Sequence, residues 1–188
     1  MKYFALYKPY GVLSQFTSVA GKKTLADVYK FPENVYPVGR LDMDSEGLLI
    51  LTDDKTLPEY LLNPDNKHER EYYAEIEGIA KEEELRKLES GVIIEGKMTL
   101  PAKVKVLHNV KIEAREVAIR FRKNVPDSWI SLTLIEGRNR QVRKMTASIR
   151  HPTLRLIRMR IKNILLGDLK PGQVRELTSL EIKELKGL

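Results

Sequence analysis

Apolar and polar positions along the chain follow two periods, and the switches between them mark the elements. Residues 3–7 form an apolar and aromatic run of strand length, stopped by Lys8-Pro9-Tyr10-Gly11, a turn with a cation and an aromatic at its tip. Residues 12–16 continue extended, 18–23 read as a loop, and Thr24 caps a short helix through Tyr29. A buried-type strand covers 48–52, and a second short helix, 56–63, ends at Pro64. After a polar linker, 65–69, residues 70–77 alternate like a half-exposed strand closed by Gly78. Residues 81–90 give the clearest helix: Leu85 and Leu88 share a face, Glu82/Arg86 and Glu83/Lys87 are i,i+4 pairs, and Gly91 follows the end. Strands are expected at 92–95, 102–107, 117–122 and 129–135, with Arg120 and Arg122 opposite Ile119 and Phe121.

The last third repeats both periods. Residues 139–149 predict a helix with Val142, Met145 and Ile149 as its buried stripe and Arg140, Arg143 and Lys144 together on another face. Residues 154–161 predict a strand, with Ile157, Met159 and Ile161 on one side and Arg158 and Arg160 on the other. A turn at 168–172, a strand at 173–177 and a closing helix at 179–186 complete the chain. Short strands with few helices imply an α+β fold around a mixed, mainly antiparallel sheet. The length, 188 residues, fits one domain or two small lobes sharing a core, and 42% hydrophobic content fits a packed interior.

Charge adds a partner to this picture. Net charge is +7, from 33 basic and 26 acidic residues. Between Gly137 and Gly167 there is no Asp or Glu, whereas Arg138, Arg140, Arg143, Lys144, Arg150, Arg155, Arg158, Arg160 and Lys162 are all basic. A solvated face normally mixes signs, so a one-sign block reads as a phosphate-binding surface. The chain has no cysteine, which removes disulfides, thiolate nucleophiles and Cys-ligated zinc and fits a cytoplasmic setting. The N-terminal apolar run is too short for a signal peptide, and no later stretch spans a bilayer. His68, His108 and His151 lack metal-ligand spacing.

The densest chemistry lies in 36–54. Asp42, Asp44 and Glu46 crowd one short loop beside Arg40, with Gly39 and Gly47 giving the backbone room on either side. Such a cluster costs repulsion and desolvation unless it binds a cation or does chemistry. Three readings stand: a polar connection between strands, a calcium loop, and a catalytic carboxylate at Asp42. The calcium spacing is imperfect, with Glu46 at the fifth position and Asp53, too short for comfortable bidentate binding, at the twelfth. Pro37 and Gly39 also oppose the helix that should enter such a loop.

Four stretches together resemble a known family. Lys8-Pro9-Tyr10-Gly11, Gly39-Arg40-Leu41-Asp42 with its Asp-Ser-Glu-Gly tail, Arg70-Glu71-Tyr72, and 136–145 (Glu-Gly-Arg-Asn-Arg-Gln-Val-Arg-Lys-Met) resemble pseudouridine synthases, in the family's order and over nearly the whole chain. Within that superfamily they are similar to the RsuA/RluB/RluE/RluF group, and the start at the catalytic domain, without an S4-type domain, together with 12–17, Ser128-Trp129 and 151–158, is similar to its RluE-like branch. The resemblance implies a two-lobed fold with a catalytic cleft, acting on a uridine of large-subunit ribosomal RNA as a monomer without cofactor or metal.

It also implies roles for individual residues. Asp42 is the catalytic aspartate, Tyr72 the tyrosine that packs against the base, and Arg143 the cation paired with the aspartate; an opposite charge within ~4–6 Å lowers an Asp pKa by ~1–3 units. From the residues alone, Tyr72 reads first as a sheet tyrosine, and one more phosphate contact is the lesser alternative for Arg143. Arg40, Arg138, Arg140, Lys144 and Lys8 are expected to touch RNA, and Ile161 to line the pocket or the core. Arg150 stands where the family usually has Gly; a left-handed backbone there would cost a non-Gly residue on the order of 1 kcal/mol. A non-catalytic RNA-binding protein would keep the basic surface without needing Asp42, and a calcium protein would respond to chelator.

Overall fold

The first apolar run forms β1, Tyr3–Lys8, buried at every position. After it come a 3-10 turn at Leu25–Asp27, β2 at Tyr36–Pro37, β3 at Glu46–Thr52 and α1 at Leu57–Leu62. The helix expected over 24–29 contracts to that single turn, with Thr24 and Asp27 closing a reciprocal cap. The chain continues through β4 (Arg70–Glu77), α2 (Glu82–Ser90), β5 (Ile93–Ile94), β6 (Lys97–Met98), β7 (Lys103–Leu107), β8 (Asp127–Leu134) and α3 (Gln141–Ser148). It ends with β9 (Thr153–Ile161), β10 (Ile164–Leu165), β11 (Val174–Glu176) and α4 (Ser179–Lys186). This computed structural model describes residues 1–115, 117–119 and 125–188. Of the strand expected at 117–122, Arg120, Phe121 and Arg122 lie outside the described residues, and 117–119 are irregular. The chain is α+β and divides into two compact units, Met1–His68 with Ile157–Leu188, and Glu69–Leu156. Among the described residues no helix is long and apolar enough to cross a membrane.

In the first unit β1 pairs antiparallel with β3, from Tyr3↔Thr52 to Lys8↔Gly47, and with β11 on its other side. The N-terminal segment thus pairs with the C-terminal one. β3 is buried at every position, which suits a strand covered on both faces. Its start pairs in parallel with β9, Glu46↔Ile157 and Gly47↔Arg158. A Cβ on Gly47 (φ +104°) would run into the backbone N and O of Arg158, so only glycine lets the two strands approach. Phe4, Leu6, Val12, Leu25, Val35, Leu49 and Leu51 form the core. Asp54, just past β3, accepts from the Tyr3 hydroxyl (2.7 Å) and the Lys186 ammonium (2.9 Å), tying α4 to the first strand.

In the second unit β8 lies between β4 and β7, antiparallel to both, with Tyr72 opposite Leu132. Ala74, Ile76, Leu88, Ile130, Leu132 and Met145 are its core. The stripe expected on α3 is buried, with Gln141 and Thr146 added to it. The helix ends with Arg150 at φ +69°, the left-handed turn that the family's usual glycine would serve without strain. His151, given no role from the sequence, joins the Glu77 carbonyl (Nδ1, 2.7 Å) to the Glu84 carboxyl (Nε2, 3.1 Å).

Two members of the basic block are not on a surface. Arg155 and Arg158 are each 4% exposed, the first donating to the Glu113 carbonyl and the second to that of Leu48. A strand covered on both faces buries its polar side as well, which the alternation of 154–161 does not reveal.

Candidate active site

The loop that carries Asp42 is fixed from its backbone. Gly39 takes φ +72°, and a Cβ there would sit 2.9 Å from Leu62 Cδ2. Two residues on, the buried Ser14 hydroxyl holds both ends of Leu41, donating to its carbonyl (2.8 Å) and accepting from its N–H (3.0 Å). The Ser45 N–H closes a turn on the Asp42 carbonyl (3.0 Å), and the Gly11 N–H donates to the Met43 carbonyl (2.8 Å). Leu41 is buried while Asp42 and Asp44 are half-buried, so a locked backbone presents carboxylates that solvent still reaches. Glu46 is buried at the start of β3.

Beneath these carboxylates lies Lys8. It was expected at a turn tip in contact with substrate. It is instead the last residue of β1 and wholly buried, its ammonium donating to the carbonyls of Val12 (2.7 Å) and Pro9 (3.0 Å). That placement leaves no face of the ammonium for a phosphate, and the charge acts inside the protein. Burial pushes Lys8 down to about 8, with Arg158 adding to the fall, while Glu46, Asp44 and Asp42 pull it back up. Arg158 fixes its own guanidinium on the Leu48 carbonyl through Nε (2.7 Å), and its Nη2 is buried without a hydrogen-bond partner among the described residues. Ser14, Glu46 and Arg158 belong to this loop's support, a role that the sequence reading gave to none of them. Glu46 stood in the motif and Arg158 in the basic block, but neither position announced its burial. Among the described residues no group of three His, Cys, Asp or Glu side chains is placed to hold a metal ion.

Of the other expected residues, Arg40 is exposed and Ile161 is 4% exposed in the first unit, the latter paired with Ile164. The second unit holds Tyr72, Arg138, Arg140, Arg143 and Lys144. Tyr72 is half-buried on β4 against the core. Arg143 is half-buried on α3 and donates to the Thr153 carbonyl (3.2 Å). Arg140, exposed at φ +51°, opens α3. Arg138 is engaged within the protein, donating to Glu136 (3.1 Å) and to the carbonyls of Lys97 and Met98. Lys144 pairs with Glu95 at 2.6 Å. The block that is purely basic in sequence therefore receives carboxylates from elsewhere in space, and Arg138 is bound more closely than a phosphate-reading side chain would be. The Lys144–Glu95 pair is exposed on the Glu95 side, and exposed pairs contribute about 0–1 kcal/mol.

The family model described as RNA pseudouridylate synthase matches residues 2–148. The chain is 51% identical over 170 residues to ribosomal large subunit pseudouridine synthase E of Vibrio parahaemolyticus, covering 90% of this chain and 71% of that one. It is 47% identical over 173 residues to the protein of the same name from Xanthomonas campestris, covering 90% and 92%. A solved structure described as a pseudouridylate synthase superposes with a TM-score of 0.81 at 28% identity, over 98% of this chain and 73% of that one. With the matched segment reaching from β1 through α3 and enclosing the Asp42 loop, the chain belongs to the RNA pseudouridylate synthase family.

Proposed function

We propose that this protein isomerises a uridine of large-subunit ribosomal RNA to pseudouridine, with Asp42 as the catalytic carboxylate, and that it works as a cytoplasmic monomer. Two relatives at 51% and 47% identity carry the large-subunit name and support the choice of RNA. The observation that carries the role of Asp42 is its backbone, fixed at Leu41, Met43 and Ser45 with the side chain left half-open. Fixed geometry is what an in-place rearrangement needs, because the base must be held while its bonds change.

The reaction breaks N1–C1′ and makes C5–C1′; C5 loses a proton and N1 gains one, so atoms and charge balance without a redox partner. The residues supply a carboxylate at Asp42, an aromatic face at Tyr72 for the detached base, and cations for the strand. Arg143 is assigned to the Asp42 carboxylate, and Arg40, Arg140 and Lys144 to phosphates. Ile161 contributes an apolar wall from its buried position. A uridine inside a duplex must leave its stack to reach such a loop, at about a few kcal/mol.

The test is Asp42→Asn, which keeps shape and removes charge. In vitro transcribed large-subunit RNA is treated with enzyme, and pseudouridine is read by carbodiimide adducts and primer extension. Conversion is expected to fall at least about 10⁴-fold with RNA affinity within about twofold. Wild-type-like conversion by Asp42→Asn would remove the carboxylate from the mechanism.

A further inference from the structure

We propose that Tyr36 forms a stacking subsite for a second, unpaired base of the RNA, separate from the base that undergoes reaction. The inference rests on the RNA-modifying role proposed above and adds a determinant of which strand is held. Tyr36 is 62% exposed, the most exposed aromatic side chain among the described residues. A lone exposed aromatic means little. This one ends a row of rings that begins in the core: Phe4 meets Phe31 (5.6 Å, 75°), Phe31 meets Phe16 (5.8 Å, 74°), and Phe16 meets Tyr36 (6.4 Å, 79°). Each contact is edge-on, and edge-to-face packing holds ring orientation. The backbone is fixed as well, because β2 pairs Tyr36 with Thr52 of β3. Whichever of the two rings presents its edge, at least one face of Tyr36 stays open and in place.

The surroundings suit a nucleotide. Gln15, Phe16, Thr17, Tyr36, Pro37 and Arg40 line a groove of about 430 Å³, within the ~300–1,000 Å³ of sites that take small organic groups. None of its lining residues is acidic, and the chain carries no Asp or Glu from Met1 to Ala26, while Lys22 and Lys23 are exposed. Arg40, exposed at the groove and two residues before Asp42, is placed for the phosphate next to the stacked base. An aromatic face beside a guanidinium with no carboxylate is the pairing that binds single-stranded nucleic acid with little regard to base identity. A protein partner would more often be met by mixed charge. Tyr36 lies six positions before Asp42, so the second base is a near neighbour of the target rather than a distant contact.

The experiment compares wild type, Tyr36→Phe and Tyr36→Ala on in vitro transcribed large-subunit RNA, measuring the dissociation constant at fixed salt together with KM and kcat. Tyr36→Ala is expected to raise both the dissociation constant and KM about tenfold, to change kcat much less, and to leave Tm where it is, since the side chain is exposed. Tyr36→Phe, which keeps the ring, should restore binding to within about twofold. Unchanged affinity in Tyr36→Ala overturns the subsite, as does a fall in kcat alone or a Tyr36→Phe as weak as Tyr36→Ala. Normal RNA affinity combined with weaker capture of ribosomal proteins would reassign the groove to a protein and likewise overturn it. If wild type binds the transcript in a Tyr36-dependent way but converts no uridine, the stacking subsite stands and the catalytic assignment of Asp42 falls.

Discussion

Asp54 and Glu75 are carboxylates of nearly equal burial, 2% and 5% exposed, and the protein treats them in opposite ways. Burial alone would push Asp54 up, yet hydrogen bonds from Thr56, Lys186 and Tyr3 hold it well below the usual carboxylate range. Glu75, in the second unit, is pushed up to about 7, chiefly by burial and then by Asp127 through a shared hydrogen bond and like charge; Arg155 and Arg115 only partly oppose this. Its Oε2 is buried with no hydrogen-bond partner among the described residues. Donors, not depth, decide whether a buried acid is charged. Lys8 shows the other outcome: three carboxylates only partly offset its burial, and its ammonium stays lowered to about 8.

The largest test of this contrast is Asp54→Ala. Removing it strands Lys186 and the Tyr3 hydroxyl at once, and a loss of about 3–5 kcal/mol near neutral pH is expected in chemical denaturation. Because the folded carboxyl is lowered, its stabilisation is present above the ordinary carboxylate range and fades as pH falls through it, so wild type and variant should converge in acid. A loss below about 1 kcal/mol at neutral pH would show the donors to be ornamental.

Glu75→Gln is the opposite case. A raised carboxyl stabilises the fold while protonated, below about 4.5, and loses that contribution as pH rises through about 7. The amide keeps the neutral shape, so the variant should match wild type in acid and exceed it by about 2 kcal/mol near pH 8. A variant less stable than wild type at that pH would mean Glu75 is charged and satisfied there. The smallest effect is expected from Asp127→Asn, which removes the neighbouring charge but not the burial; the Glu75 titration, followed by NMR, should move down by less than about one unit. A fall all the way to the ordinary glutamate value would make Asp127 the main cause and depth the minor one.

Local signals made much of the fold legible. The apolar run of β1 and the i,i+4 pairs of α2 each state their element within a few neighbours. The two-residue strands β2, β6 and β10 escaped, because they exist only through pairing with distant or folded-back partners and have no period of their own. The same limit governs the site. Asp42 stood out through the acids and glycines around it. The hydroxyl of Ser14 that clamps Leu41, 27 residues away, and the burial of Arg158, which donates to Leu48 across 110 residues, are products of packing. Lys8 was misplaced for that reason: Pro9 and Gly11 signal a turn correctly, but nothing local says that β3 and the acid loop close over the residue before it.

Where β3 meets β9 at Gly47 and Arg158, the backbones are so close that the position can hold hydrogen and nothing larger. Natural drift at this crossing is therefore closed to every other amino acid, however mild. The codon for residue 47 is tied to the path of a strand over a hundred positions later, and descendants can alter one only by rebuilding the other.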